Sequence, residues 1–328
     1  MTLDSAARPA ALPLPMFRRA RGLALARRPL VLAWLLVAPA VVILAAFMIG
    51  PLFFTGIISF LARGPTGQVD WHSFTREAYV ALLFDRDFDG SLLFNGDYLV
   101  IFLRSVLEAL ATTLICLAIA IPTALYMALQ SNRRRLLLIF LVTVPFWTNL
   151  LVRNYAWILI LRTKGLVDSL LHGLGITDNP FDILYTDYAI VAGLVYSFIP
   201  FMVLPIFASF DKLDWRLVEA AYDLGAGRRR TLQRIILPLS LPGIMAGCLL
   251  VFIPCLGAYA TPALLGGSKA LMVGSLIQLQ FGEARNWPFG AALSTVLLGV
   301  VLLTIMGYLA WIGRRRSTLG LPPEGLAG

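Results

Sequence analysis

Six long apolar runs constrain this chain more than any other feature of its sequence. A hydrocarbon core about 30 Å thick is crossed by a helix of roughly 20 apolar residues, and each run is long enough for one such crossing. The runs lie at about 31–61, 99–129, 136–161, 188–210, 243–265 and 290–312. We therefore predict an all-α polytopic membrane protein with six transmembrane helices.

The composition agrees with a chain that is covered largely by lipid. Of its 328 residues, 59% are apolar and only 14% are charged, and the mean hydropathy is +0.81. A soluble domain of this length needs more charge on its surface. The net charge of +9 would suggest nucleic acid in a soluble protein, but here the Lys and Arg residues cluster between the apolar runs. The first run is also longer than the apolar part of a cleaved signal peptide, which predicts an uncleaved span.

The basic clusters predict the orientation of the spans. Four segments, before the first run, between the second and third, between the fourth and fifth, and after the sixth, hold 18 of the 27 Lys and Arg residues. Basic segments stay on the cytoplasmic side of a membrane. The intervening segments 63–97 and 162–187 are acidic or sparsely charged. We therefore predict that both termini are cytoplasmic and that these two segments are external.

The same pattern divides the chain into parts. We predict a basic cytoplasmic tail over 1–28, a transmembrane domain over 29–316 and a flexible cytoplasmic tail over 317–328. The external loop 63–97 contains more aromatic residues than a disordered loop would, so it should pack into a small cap. That cap either contacts a partner and shapes the entrance, or only covers the helix ends.

The segment 211–243, between the fourth and fifth runs, is predicted to dock a cytoplasmic protein. A plain connection between helices needs two to eight residues, whereas this segment has over thirty and is rich in apolar residues. Asp214 can cap a first short helix, and Gly225 and Gly227 are predicted to end or bend it. A second helical stretch is expected over about 228–237.

This segment also carries a pattern with fixed spacing. Its members are Glu219, Ala220, Ala221, Gly225, Ile235, Leu237 and Pro238. The pattern resembles the EAA loop of ABC-importer permeases at every position, and the resemblance implies the type I ABC importer permease fold. It implies that the loop is a coupling helix that fits a groove on an ATPase subunit. The two alanines would allow close approach, Glu219 would make a charged contact, and Gly225 would permit the turn.

Further segments within about 100–312 resemble one branch of that family, the first permease subunit of spermidine/putrescine (polyamine) importers. The resemblance is carried by 145–166, 184–186, 193–215 and 285–294. It implies a small cationic solute, a cytoplasmic ATPase dimer, a second homologous permease and an external solute-binding protein. An opine, an amino acid or 4-aminobutyrate, or a ferric complex remains an alternative solute. In several relatives an acidic residue stands where this chain has Ala258.

We predict that this chain does not catalyse a reaction. The sequence has no GxxxxGK[ST] phosphate loop, so ATP hydrolysis is expected in a separate ATPase subunit that uses ATP and magnesium. We predict no catalytic residue, no bound cofactor and no metal site, because His72 and His172 lie far apart and no CxxC is present. An ATP-independent secondary transporter or channel is the alternative from a different class. A membrane-embedded enzyme would need a catalytic cluster, and the sequence contains none that we recognise.

Two charged residues inside the second run are candidates for the solute pathway. Ionisable residues inside a membrane are costly and are therefore functional candidates. Arg104 and Glu108 are four apart, share a helix face and can pair. Glu108 is roughly 14 Å along the helix from Leu99. Either Glu108 faces the pathway and meets an ammonium group, or the two charges neutralise each other between packed helices.

Aromatic residues near the ends of the spans are the remaining candidates. Tyr155, Trp157 and Tyr196 could hold an ammonium group by cation–π attraction. Trp and Tyr near the ends of spans are more often anchors at the membrane interface. The sequence leaves both interpretations open.

Overall fold

The computed structural model describes residues 20–65, 67–87, 89, 91–175, 183–267 and 270–318. These residues are mostly helical. The helices are α1 (Ala20–Ile58), α2 (Glu77–Val80), α3 (Asp97–Ala128), α4 (Asn132–Trp147), α5 (Leu150–Leu161), α6 (Leu166–Gly173), α7 (Asp187–Asp211), α8 (Arg216–Asp223), α9 (Arg228–Thr231), α10 (Leu237–Leu239), α11 (Leu241–Leu256), α12 (Ala260–Leu265), α13 (Val273–Phe281) and α14 (Trp287–Thr318). A π-helical turn, Leu232–Ile236, joins α9 to α10.

The chain divides into a first unit, residues 1–54, and a second unit, residues 55–328. In the first unit the described residues 20–54 are helical throughout and belong to α1. The helix begins at Ala20, before the predicted start at about 31, because the segment that follows is rich in Ala, Leu and Arg, which are strong helix formers. The predicted basic tail is therefore helical from Ala20, and residues 1–19 lie outside the described part. At the other end α14 runs to Thr318, and the rest of the predicted tail also lies outside it.

The described residues form four to six helical spans. Four single helices are long and apolar enough to cross a membrane: Leu36–Ile58, Asp97–Ala128, Asp187–Asp211 and Trp287–Ala310. Two further spans are possible if each of two bent helix pairs counts as one, Asn132–Trp147 with Leu150–Gly173 at 90° and Arg228–Leu239 with Leu241–Leu256 at 70°. This agrees with the predicted number of spans.

The predicted third span is broken near its middle. Thr148 and Asn149 are extended, and the Asn149 side chain accepts a hydrogen bond from the Leu151 N–H at 2.8 Å. Asn149 therefore caps α5, as a short polar side chain does before the first turn of a helix. The predicted fifth span is also interrupted, because α11 ends at Leu256 and α12 begins at Ala260.

The predicted external loop 63–97 forms two antiparallel hairpins, which the all-α prediction did not include. The strands are β1 (Leu61–Arg63), β2 (Val69–Phe74), β3 (Phe84–Arg86) and β4 (Leu92–Phe94). β1 pairs with β2 with an irregular register, and β3 pairs with β4 with Phe84 opposite Phe94. Arg63 Nη2 donates to the Ala284 carbonyl at 3.0 Å, so the first hairpin is tied to the segment that precedes α14.

Helices α3, α7 and α11 form the core of the second unit. Small residues line the contacts of two of them: α3 buries Ala109, Cys116, Ala120 and Ala124. On α11, a Cβ atom at Gly243 would lie 2.0 Å from Ser209 Oγ, and one at Gly247 would lie 2.9 Å from Met202 Sδ. Glycines four apart allow α11 and α7 to approach closely, as small residues do between membrane helices. This packing holds α3 and α7 side by side, and both helices line the candidate site.

Candidate functional site

A cavity of about 1100 Å³ opens between α3, α5 and α7. Most of its wall is apolar, and its polar groups gather near the first residue of α7. The lining residues are Arg104, Leu107, Glu108, Ala111, Ile115, Trp157, Thr186, Asp187, Tyr188, Val191, Ala192, Val195, Tyr196 and Ile199. An apolar cavity with a few convergent polar groups is the usual form of a small-molecule site.

Arg104 connects the two carboxylates of this cavity. Its Nε donates to Glu108 Oε1 at 2.9 Å, and its Nη2 donates to Asp187 Oδ1. Arg104 and Glu108 lie one turn apart on α3, as the sequence predicted, while Asp187 is the first residue of α7. The planar guanidinium can bind both carboxylates at once because it carries several donors in a fixed fork.

Glu108 is the most enclosed member of this group. Its side chain is 6% exposed, against 28% for Arg104 and 57% for Asp187. Its second oxygen, Oε2, is buried without a hydrogen-bond partner among the described residues. Among the described residues that line the cavity, the charged groups are one guanidinium and two carboxylates, which give a formal charge of −1.

Four of the five predicted pathway residues line this cavity, and Tyr155 does not. Trp157 and Tyr196 lie on its wall with ring centroids 5.8 Å apart in an edge-to-face arrangement. Tyr155 is 58% exposed and lies two residues from Trp157 on the same helix. Residues two apart do not share a helix face, so the Trp157 position excludes Tyr155 from the cavity.

Asp187 was not predicted as a site residue, because it is one of the acidic residues of the predicted loop 162–187. Its position depends on Thr186, whose Oγ1 accepts from the Ala189 N–H at 3.4 Å and donates to the Ile183 carbonyl at 2.6 Å. Thr186 therefore caps α7. A Thr followed by an acidic residue at the start of an apolar run is a signal for a helix start, and it could have placed Asp187 on the helix.

The segment predicted to dock a cytoplasmic protein begins directly after α7. Asp214 Oδ1 accepts from the Arg216 N–H at 3.1 Å, and α8 follows. The helix ends in a turn in which Gly225 N–H donates to Tyr222 O and Ala226 N–H donates to Ala221 O, both at 2.9 Å. Gly225 has φ of +79°, as this helix-ending motif requires. The prediction of a glycine turn at this residue is confirmed.

The side chains of this segment divide into a packed face and an exposed face. Val218, Ala221, Thr231 and Ile236 are buried against the rest of the chain. Glu219, Ala220 and Pro238 are exposed, Ile235 and Leu237 are partly buried, and Leu224 is 88% exposed. Gly227 begins the second helical stretch with an ordinary φ of −71°. That stretch continues to Leu239, two residues further than predicted.

An ion pair anchors the end of α7 where this segment begins. Arg135, near the start of α4, donates through Nη1 to Asp211 Oδ1 at 2.5 Å and through Nη2 to the Ala128 carbonyl at 3.2 Å. Its guanidinium carbon lies 6.0 Å from the centroid of the Phe207 ring. The pair therefore joins the ends of α3 and α7 to the beginning of α4.

The chain is similar to known transport proteins over most of its length. Residues 97–317 match the family described as the inner membrane component of binding-protein-dependent transport systems. The spermidine/putrescine transport system permease protein PotB of Escherichia coli is 44% identical over 229 residues, which cover 69% of this chain and 83% of PotB. The inner membrane ABC transporter permease protein YdcU of Escherichia coli is 30% identical, with 81% of this chain and 88% of YdcU covered.

A solved structure shares the fold. A chain of a bacterial ABC transporter involved in the import of the acidic polysaccharide alginate aligns with a TM-score of 0.61. The alignment covers 90% of this chain and 99% of that chain at 16% sequence identity. The predicted type I ABC importer permease fold is confirmed.

Proposed function

Because the chain belongs to the family of inner membrane components of binding-protein-dependent transport systems, we propose that it forms one half of the pathway for a polyamine such as spermidine or putrescine. The chain is a multi-pass membrane subunit of an ATP-driven importer, not an enzyme. The single observation that carries the choice of solute is the cavity whose charged lining is one guanidinium and two carboxylates.

The chemistry of this cavity suits a flexible cation. The formal charge of −1 attracts an ammonium group, and the buried Glu108 Oε2 is an acceptor that such a group could satisfy. Trp157, Tyr188 and Tyr196 are the aromatic residues of a wall that is otherwise largely aliphatic, and aromatic faces attract cations. An opine or an amino acid carries a carboxylate that this excess of negative charge would repel. Relatives at 44% identity that carry the name of a spermidine/putrescine system support the same choice.

The segment 211–243 is proposed to couple this pathway to ATP hydrolysis. Its exposed Glu219 and Ala220, with the Gly225 turn that follows them, form the surface that would enter a groove of an ATPase dimer. Ala221, Ile235 and Leu237 would hold that surface against the permease, and Pro238 would start the return to the membrane. In this proposal the chain binds no cofactor, and the ATPase subunits use ATP and magnesium.

The proposed transport cycle is alternating access. An external solute-binding protein delivers the solute, ATP binding and hydrolysis move the coupling segment, and the pathway opens inward. Six spans are too few to surround a polar pathway, so a second, homologous permease would supply the other wall. The bend of 90° between α4 and α5 places Trp157 at the cavity on a helix separate from α4.

The test is substrate-stimulated ATPase activity of the complex reconstituted in lipid. Spermidine, putrescine, opines and amino acids would each be supplied with a matching binding protein. We expect polyamines to raise ATP hydrolysis, and Glu219→Ala to reduce this stimulation. Glu283→Ala is the matched control, because Glu283 is exposed and lies outside the coupling segment.

Each outcome decides a separate part of the proposal. If an opine or an amino acid stimulates hydrolysis and polyamines do not, the choice of solute is wrong and the coupling role stands. If Glu219→Ala and Glu283→Ala behave alike, the docking surface is wrongly assigned. If solute crosses the membrane at the same rate without an ATPase subunit, the chain works as a secondary transporter or a channel.

A further inference from the structure

The cavity contains two carboxylates, yet one of them is already neutralised by the protein itself. Arg104 bonds to Glu108 Oε1 and to Asp187 Oδ1, so its single positive charge is shared between two acids. What remains on this chain's wall of the pathway is one unit of negative charge for a solute. A diamine or polyamine carries more than one ammonium group. The positive charge of such a solute therefore exceeds the net negative charge that this cavity offers.

We propose that Arg104 is a specificity-determining residue that limits the cavity to one ammonium group at a time. This inference rests on the proposed function. The ammonium group is bound at the Glu108 carboxylate, which lines the cavity and whose Oε2 has no hydrogen-bond partner among the described residues, while Asp187 contributes its charge from the more exposed side. The rest of the solute lies along the apolar wall near Trp157 and Tyr196.

Restricting the cavity to one bound ammonium group would help transport by easing release of the solute. A binding site that satisfied every ammonium group of a polyamine would hold it tightly, whereas a pathway must release its solute. Arg104 lies within the same helix turn as Glu108 and is only 28% exposed, so it stays in the cavity as a fixed competitor for negative charge. Specificity is here a difference of affinities set by a repulsive element.

The test compares two amines of equal carbon length, 1-butylamine and putrescine. Their competition against radiolabelled putrescine is measured on the complete importer complex in nanodiscs without the binding protein, so that the permease alone selects. A buried carboxylate without a cation favours its neutral form, so the competition is measured up to about pH 9. With both carboxylates ionised, Arg104→Gln has a formal cavity charge of −2 and a second ammonium group gains a partner. We expect the preference for putrescine over 1-butylamine to rise about tenfold, the ratio that about 1.4 kcal/mol gives.

Charge-matched variants decide whether Arg104 acts through charge. The double variant Arg104→Gln/Glu108→Gln returns the formal charge to −1 and should return the preference to within about twofold of the wild type, since 0.4 kcal/mol is about twofold. Glu108→Gln alone makes the cavity neutral and should weaken both amines about tenfold. If Arg104→Gln does not fold, the double variant carries the test, because a preference that differs more than about twofold from that of the wild type would contradict an effect of Arg104 through charge. Arg162→Gln, an exposed arginine away from the cavity, controls for the overall charge of the protein.

Three results would overturn the inference. The first is an unchanged preference in Arg104→Gln, and the second is an equal change in Arg162→Gln. The third is a wild-type complex that imports polyamine but shows no displaceable putrescine, which means that this cavity does not hold the solute. A wild-type complex that neither binds nor imports polyamine contradicts the proposed function instead, so the two failures are distinguishable.

Discussion

Helix α7 has an aspartate as its first residue and another as its last, and an arginine from a neighbouring helix binds each one. We call the two pairs the Asp187 bridge, with Arg104 of α3, and the Asp211 bridge, with Arg135 of α4. The same two residue types meet in both, but their surroundings differ. The Asp187 bridge includes a second carboxylate, Glu108, and faces a cavity. The Asp211 bridge has one carboxylate and adds a backbone carbonyl at 3.2 Å and an aromatic ring at 6.0 Å.

This difference assigns different roles to the two bridges. An excess of acid beside a cavity can receive a cation from outside the protein. An arginine beside one carboxylate, one carbonyl and one ring has these partners within the protein, and its Nε is buried without a hydrogen-bond partner among the described residues. The Asp211 bridge also lies directly before the segment that we propose couples to the ATPase. We therefore expect the Asp187 bridge to govern the solute and the Asp211 bridge to transmit motion.

The largest effect is expected from Arg104→Ala. This change leaves Glu108, with its 6% exposed side chain, as a buried carboxylate without its cation. Removing one partner of a buried ion pair costs about 3–5 kcal/mol. Thermal unfolding of the purified complex should show this loss, and the double variant Arg104→Ala/Glu108→Ala should recover most of it. Equal instability of the single and double variants would mean that Arg104 stabilises the fold by packing and not by its charge.

The next largest effect is expected in the coupling segment, which belongs to neither bridge. Gly225→Ala places a Cβ atom at φ of +79°, which costs about 1–2 kcal/mol and disturbs the end of α8. Gly227→Ala is the matched control, because Gly227 has a φ of −71° and a Cβ atom there would meet open space. We expect stimulated ATPase activity to fall in the first variant and to stay near the wild-type value in the second. Similar activities would show that the turn at Gly225 is not required for coupling.

The coupling segment and the cavity also show which features could be predicted from the sequence. The apolar runs predicted the number of spans, and Asp214 with Gly225 and Gly227 predicted two short helices with a glycine turn, because these signals are local. Arg104 and Glu108 could be paired for the same reason, since one helix turn separates them. The sequence left open whether the pair faces a cavity, because that depends on how α5 and α7 pack beside α3.

The misses have two different origins, one in tertiary packing and one in local signals that were not used. Asp187 joins the site only through the packing of α7 on α3, and no local spacing indicates that contact. The break at Thr148 and Asn149 could have been predicted locally, because Asn149 is a typical helix cap. It was missed because the run around it is apolar. Tyr155 and Trp157 were grouped by residue type although they lie on different faces of α5. Helical periodicity would have separated them.

The aromatic wall offers a smaller test of the cavity side of the comparison. Trp157→Leu removes the edge-to-face contact with Tyr196 and a ring that could attract an ammonium group, each worth about 0.5–1.5 kcal/mol. We expect putrescine binding to the complex to weaken about tenfold or less. Tyr155→Leu, on the same helix but outside the cavity, should leave binding unchanged. A stronger effect at Tyr155 would show that the solute follows another face of α5.

The smallest effect on stability, and the sharpest test of the comparison, is expected at the Asp211 bridge. Arg135 is 28% exposed and Asp211 is 42% exposed, and ion pairs of this exposure contribute about 1 kcal/mol or less. Asp211→Asn should therefore barely change thermal unfolding or the affinity for putrescine. If the bridge transmits motion, the number of ATP molecules hydrolysed per imported solute should rise, and exchange of the two charges in Arg135→Asp/Asp211→Arg should lower it again. Asp187→Asn should do the reverse, weakening putrescine binding while the ATP cost of each imported solute stays closer to that of the wild type. If both aspartate variants change the same quantity, the two bridges do not have separate roles.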